Sequence, residues 1–432
     1  MTRIKEQGTV NGEKGKYASP SLLPFACCLL PIALIAADWP QFRGPGGTGV
    51  SVEKALPIRW GPTENIAWKV ELPGRGVSSP VVAGGRCYVT ACSGYQQRRL
   101  HVLCYDAATG AKQWERQFQA TGNTFCNPKT CMAAPTPVTD GERVYALFAT
   151  GDLACLDREG NLIWYRSLVG DYHDITNQVG MAASPILWRD MLLLPMENVG
   201  ASFAAGLDKL TGQNRWKVPR PRDINWPTPL LVERDGQADV LFQAPQELAA
   251  YDPATGQKRW AYTGEGMSSV PSLAAADGLL ILSGGVALRL PAATASLDRG
   301  KPETTPQVAW KSTKLRPAYA SPLICQGRLY AVNNSAILLN CTDLQTGNVL
   351  WQQRVKGPFS ASPVTADGKI YLVNEDGLTT VLEPSDPPRI LSTNPLGEPM
   401  LATPAIADGA IYLRSDQHLF CIREKKAISA GR

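Results

Sequence analysis

An all-β, eight-bladed β-propeller of four-stranded antiparallel blades, closed into a ring by an N-terminal strand that completes the last blade, is the fold this sequence predicts. Three observations carry that prediction. A Pro preceded or followed by a small residue opens an apolar run eight times, at Pro80, Pro137, Pro185, Pro229, Pro271, Pro322, Pro363 and Pro404. The intervals of 41 to 57 residues match the period of a propeller blade. The pattern Asp-x-x-Thr-Gly-x-x-x-Trp then closes several copies, and the one closing segment missing at the C-terminus is found at the N-terminus, around Trp68.

Composition agrees with a single large ring. A chain of 432 residues would ordinarily suggest two or three domains, but repeat folds run longer as one unit. At 44% apolar and 19% charged residues, it is too hydrophobic for a disordered chain and too interrupted for a multi-span membrane protein. Gly 39 and Pro 34 supply the many turns that short strands need. A net charge of +5 without any basic run gives no reason to expect nucleic acid as a partner.

In chain order, residues 1–37 read as a secretory signal: Arg3, Lys5, Lys14 and Lys16 precede an apolar stretch from Leu22 that ends in Ile35-Ala36-Ala37. Residues 38–64 form an N-terminal extension, 65–422 the propeller and 423–432 a C-terminal tail. Without a further apolar segment long enough to span, the exported chain is expected to be a monomer in the periplasm or outside the cell.

The first blade runs from Ser79-Pro80 through Gly84-Gly85 to Asp106, Thr109-Gly110 and Trp114. The second closes on Trp164, the third on Trp216 after Asp208 and Gly212, and the fourth on Trp260 after Asp252 and Gly256. The fifth leads from Val270-Pro271-Ser272 to Trp310, and the sixth from Ser321-Pro322 through Asp343 and Gly347 to Trp351. The seventh has a degenerate closing strand at Arg389-Ile390-Leu391, and the eighth ends at Phe420-Cys421-Ile422, leaving the segment around Trp68 to complete it. The Asp of each turn can accept hydrogen bonds from turn amides, and its Gly supplies positive φ. The repeat tryptophans Trp68, Trp114, Trp164, Trp216, Trp260, Trp310 and Trp351 are expected to pack between blades, each indole N–H needing one partner.

Nine cysteines follow residue 37. Six sit in apolar strand-like runs and read as small buried hydrophobes. Cys126 and Cys131 flank a polar, Pro-containing loop and are a candidate disulfide; no His or second Cys pair at ligand spacing marks a metal site there.

The recurring Asp-x-x-Thr-Gly-x-x-x-Trp pattern resembles the pyrroloquinoline quinone (PQQ) repeat family over roughly residues 38–422. Asp38-Trp39-Pro40-Gln41-Phe42-Arg43-Gly44-Pro45 is similar to the opening of exported quinoprotein-like propellers. The resemblance implies the fold but leaves the chemistry open, since the family holds both quinone-dependent alcohol dehydrogenases and propellers without quinone, among them the scaffold lipoprotein of the outer-membrane protein assembly machinery. In the enzymes, the resemblance implies, a Ca²⁺ held by Glu, Asn and Asp sits beside the quinone near the axis, under a disulfide of adjacent cysteines. Beyond residue 37 this chain has no adjacent cysteines and is short of those enzymes' insertions. The expectation is therefore a non-catalytic scaffold without cofactor that binds a protein or a cell-envelope component. PQQ with Ca²⁺ in a dehydrogenase, or a small ligand or carbohydrate in the central funnel, are the alternatives.

In a propeller, the loops leading into each innermost strand and those between second and third strands gather at one mouth of the axis. Here they supply Arg75, Arg98, Lys129, Glu197, Asn198, Asn225, Trp226, Glu265, Arg316, Tyr319, Asn374 and Glu375 as a candidate ligand or partner face. Such a ring is also what any water-filled mouth requires. Within it, Glu197-Asn198 and Asn374-Glu375 are the oxygen groups best suited to a hard cation. No nucleophile elbow or phosphate loop accompanies them, so no catalytic residue is assigned.

Overall fold

Residues 37–176, 178–291 and 305–424 are described by the computed structural model. The segment read as a signal lies outside the described residues save for Ala37, as does the tail beyond Glu424.

Among the described residues, 32 strands form eight antiparallel sheets of four. Blade 1 is typical: Val81–Ala83 innermost, then Arg86–Ser93, Arg99–Asp106 and Lys112–Gln119 at the rim. Blade 8 is the expected composite. Ala405–Ala407, Ala410–Arg414 and His418–Ile422 come from the C-terminal end, and Ile66–Glu71 pairs against His418–Ile422 as the fourth strand, with Trp68 opposite Cys421. Closure leaves no blade with a missing outer strand.

The small hydroxyl residue beside each Pro has a structural use. The backbone N–H of Ser79 donates to the Thr136 hydroxyl at 2.9 Å, Thr136 to Ser184 at 2.9 Å, Ser184 to Thr228 at 3.1 Å and Thr228 to Ser272 at 2.9 Å. Ser272 donates to Ser321, Ser321 to Ser362 and Ser362 to Thr403, each at 3.0 Å. This belt of hydroxyls links all eight blades around the axis. In blade 5 the belt residue is Ser272, after Pro271, so that copy aligns two residues later than its proline suggests.

Between neighbours, the tryptophans lock blade to blade. The Trp68 indole donates to the Ala107 carbonyl at 3.1 Å, Trp164 to Lys209 at 3.1 Å, Trp216 to Pro253 at 2.9 Å and Trp310 to Leu344 at 2.9 Å. Trp114 does the same to Arg158 at 2.6 Å. Each acceptor is the residue following the turn Asp of the next blade, and the turn Gly lies flat against the same indole. Trp260 and Trp351, whose indole N–H groups lack a partner among the described residues, precede blades 5 and 7, neither of which carries an Asp-x-x-Thr-Gly turn.

Blade 7 lacks its own Trp, and the extension supplies one. Trp60 stacks on Tyr371 with centroids 6.4 Å apart, where blades 1, 2, 6 and 8 set Trp114, Trp164, Trp351 and Trp68 against Tyr88, Tyr145, Tyr330 and Tyr412. The rest of the extension crosses the face that carries the first hairpin turns. Trp39 pairs with Val82, and the buried Arg43 guanidinium donates to the Leu273 and Pro322 carbonyls at 3.1 and 2.5 Å. Gly49 and Ser51 then pair with Thr365. Phe42 reaches the axis and forms one wall of the central cavity.

Candidate functional site

At the opposite mouth, the twelve predicted residues lie in loops of one face, where they form two groups and a scattered remainder. The first is a strap across the axis. The connection between blades 1 and 2 leaves the rim strand at Gln119 and turns inward before Val138. Asn127 N–H bonds the Val179 carbonyl of blade 3 at 3.1 Å, and Arg75 donates to the Pro128 carbonyl while its Nε sits 3.2 Å from Asp416. Lys129 at the tip reaches blade 7, where Nζ contacts both Glu375 oxygens at 2.7 and 2.9 Å. It also lies 4.8 Å above the Tyr319 ring of blade 6. Ser360 donates to the same Glu375 carboxylate at 2.7 Å, which fixes the acceptor.

Beneath the strap is an axial cavity of about 130 Å³, lined by the hydroxyl belt, Trp226 and Tyr319, with Lys129 and Thr130 above and Phe42 at the far end. Sites for drug-sized ligands are larger, roughly 300–1,000 Å³. A wider groove of about 600 Å³ opens on the extension's face between blades 4 and 5, walled by Val50, Leu230, Val232 and Ala275.

The second group is buried. Glu197 is 2.5 Å from Arg220 Nε, and Arg220 also reaches Glu247 at 2.9 Å, the Tyr251 hydroxyl at 3.2 Å and the Phe242 carbonyl at 2.9 Å. The Asn225 amide donates to the other Glu197 oxygen and, at 2.5 Å, to the Gln243 carbonyl. Burial pushes the Glu197 carboxyl up, while Arg220 and Asn225 pull it back down. Arg220, despite its own desolvation, is held above its ordinary value by Glu197. Asn198 is spent on its own loop, donating to the Met196 and Ala201 carbonyls at 2.9 and 3.0 Å. Trp226 donates to the Gly180 carbonyl at 3.0 Å.

The remainder are apart. Asn374 folds its own turn by accepting from Leu378 N–H at 2.8 Å, Glu265 pairs at the surface with Lys311 at 2.8 Å, and Arg98 and Arg316 are exposed. Among the described residues, no three His, Cys, Asp or Glu side chains converge as a metal site. Of the oxygen groups expected to suit a hard cation, Glu197 faces the Arg220 guanidinium, Asn198 and Asn374 are engaged in their own turns, and Glu375 is paired with Lys129. These residues do not fit a cation between them. Arg220 gave no repeat signal in the sequence, and only its flanking prolines, Pro219 and Pro221, set it apart.

The cysteine loop also differs from expectation. Cys126 and Cys131 are both free thiols, and no bond joins them. Cys131 is buried, while Cys126 donates to the Thr130 carbonyl at 3.7 Å.

Among solved structures, the chain is similar to BamB from Moraxella catarrhalis at TM-score 0.60 and 16% identity, over 84% of this chain and 98% of that one. It is similar to a europium-containing methanol dehydrogenase at TM-score 0.65 and 13% identity, over 88% and 90% of the two chains. It matches the quinohemoprotein alcohol dehydrogenase from Comamonas testosteroni at TM-score 0.66 and 14% identity, over 91% and 82%. At such identities these likenesses show the fold alone. No curated protein sequence matches. A family model described as outer membrane protein assembly factor BamB matches residues 50–202, 295–389 and 338–428, more than half of the chain. With the eight four-stranded blades and the composite eighth sheet, that match places this chain in the BamB family of PQQ-like repeat propellers.

Proposed function

We propose that this protein is a non-catalytic scaffold of the cell envelope that binds a protein partner through the face carrying the strap. One observation carries the reading: the mouth of the axis is spanned by Lys129 and Glu375, while the same face projects two strongly exposed aromatics. Tyr95 is 81% exposed in the loop after Arg86–Ser93, and Phe125 is 67% exposed on the strap. Exposed aromatics on a rigid ring are the residue type that anchors protein interfaces. Family membership supports an envelope location, and among the described residues no helix is long and apolar enough to cross a membrane.

A photo-crosslinking amino acid at position 95 or 125 tests the reading in intact cells. The expected result is one discrete crosslinked protein from both positions, lost when the other aromatic is changed to Ala, and none from position 162 on an outer strand. The purified protein should show no stoichiometric binding in titrations with PQQ and Ca²⁺. Sub-micromolar quinone binding with dye-linked alcohol oxidation would overturn the scaffold reading in favour of a dehydrogenase.

A further inference from the structure

The seven accepting hydroxyls of the belt keep a proton that the protein does not use. Each takes a backbone N–H from the neighbouring blade, and among the described residues none donates to a protein acceptor. All seven line the axial cavity, and Thr130 adds a hydroxyl that is buried there without a partner among the described residues. Two buried cations lie one residue from the belt. Arg43 donates to the carbonyls of Leu273 and Pro322, which adjoin Ser272 and Ser321, and Arg414 donates to the carbonyl of Ser78, which adjoins Ser79. Both side chains are buried and neither forms an ion pair among the described residues; Arg43 Nε and Arg414 Nε and Nη2 lack an acceptor there as well. Burial holds Arg43 down to about 10, with no carboxylate opposing it. Asp416, two residues along from Arg414, is paired with Arg75 at 3.2 Å, and Glu375 neutralises Lys129 at the mouth. Buried charge of one sign without compensation is costly, and a nearby anion offsets it.

We propose that the axial cavity is a binding site for one small inorganic anion of halide size, held by hydroxyl protons of the belt and of Thr130 in the field of Arg43 and Arg414. At roughly 30 Å³ for each water molecule, the cavity of about 130 Å³ admits such an ion together with a few waters. The sign follows from the donors. Hydroxyls that already accept an N–H present their protons, and a cation on the axis would add to two uncompensated guanidiniums. A bound anion offsets both buried charges and ties hydroxyls from seven blades to one centre, so its binding is read as stability of the closed ring. The site lies beneath the strap and stands whether or not the strap face carries a partner.

The experiment exchanges sodium bromide for sodium gluconate at fixed ionic strength on the full chain and follows Tm, with anomalous diffraction from bromide-soaked crystals as a second readout. The expected result is a Tm that climbs by a few degrees with bromide and saturates, as it does when a ligand binds only the folded state. The anomalous peak should lie on the axis within hydrogen-bond reach of the belt hydroxyls. Thr130→Val, which removes no protein hydrogen bond formed by that hydroxyl, should raise the half-saturating bromide concentration several-fold. Arg43→Met should raise it further; if that variant does not fold, Thr130→Val alone decides. A Tm that changes linearly without saturating, or crystals without an axial bromide peak, would overturn the site. A peak without a saturating Tm, or a half-saturation unmoved in Thr130→Val, means an adventitious ion only and overturns it equally.

Discussion

At position 110 two demands fall on one residue. Its φ of +74° lies in the left-handed region, and a Cβ there would stand 2.7 Å from the Trp68 ring of the neighbouring blade. Gly256 repeats the arrangement at φ +71° and 2.7 Å from Trp216. Gly110→Ala or Gly256→Ala is therefore expected to lower stability by roughly 2–4 kcal/mol, combining backbone strain with a displaced indole. Gly236→Ala is the control: its φ is +77° with nothing within 4 Å, so only the strain of roughly 1–2 kcal/mol applies. Chemical denaturation of the three variants separates the two contributions. At Glu115, burial alone would raise the carboxyl, but hydrogen bonds from His101, Lys112 and Gln117 hold it at about 2 instead of 4.5. A depressed carboxyl stabilises the fold fully above its unfolded value and loses that contribution as pH falls through the folded one. Glu115→Gln should therefore flatten the acid limb of the stability profile between pH 4.5 and 2, measured as Tm against pH. Arg220→Leu would leave Glu197 buried and uncompensated, an expected loss of about 3–5 kcal/mol by the same assay.

Among the elements, the extension and the strap are the two whose roles the repeat does not spell out. The signal of a repeat protein is its periodicity, and residues 38–64 have none. Their Trp60 nonetheless completes blade 7, with its backbone N–H 3.3 Å from the Asn394 amide oxygen. Trp60→Ala should cost about 3–5 kcal/mol, the range for truncating a buried Trp. Hydrogen exchange should place the loosening in Lys369–Val373 and Arg389–Pro395 rather than in blades 2 to 4. The Trp68 and Trp310 positions were legible in the sequence because each closes a copy of a recurring pattern. Trp60 was not, because the strand it serves lies more than 300 residues further along the chain. The same reason hid the strap: Lys129 and Glu375 are 246 residues apart, and neither belongs to a repeat position.

For the whole molecule, closure is the property that counts. Removing residues 38–72 takes away Ile66–Glu71 and leaves His418–Ile422 as an unpaired edge, so the expected outcome is aggregation and loss of cooperative unfolding. A deletion limited to residues 38–64 keeps that strand while removing Trp39, Arg43 and Trp60 from the extension's face. It should fold as a closed ring with lower stability, and light scattering with denaturant titration distinguishes the two deletions. Eight blades joined by a hydroxyl belt on the inside and Trp–Gly contacts farther out give a rigid platform, which suits the presentation of Tyr95 and Phe125 to a partner.

What the sequence by itself determined was the blade number, the tryptophans packed between blades and the position of the closing strand. These follow from local turns and a period, and each copy restates the same contacts with its neighbour. The tertiary structure alone decided which side chains meet across the ring. It set Arg220 against Glu197 and Lys129 against Glu375. Such pairs join loops of different length from different blades, and only closure of the ring brings them within reach of one another.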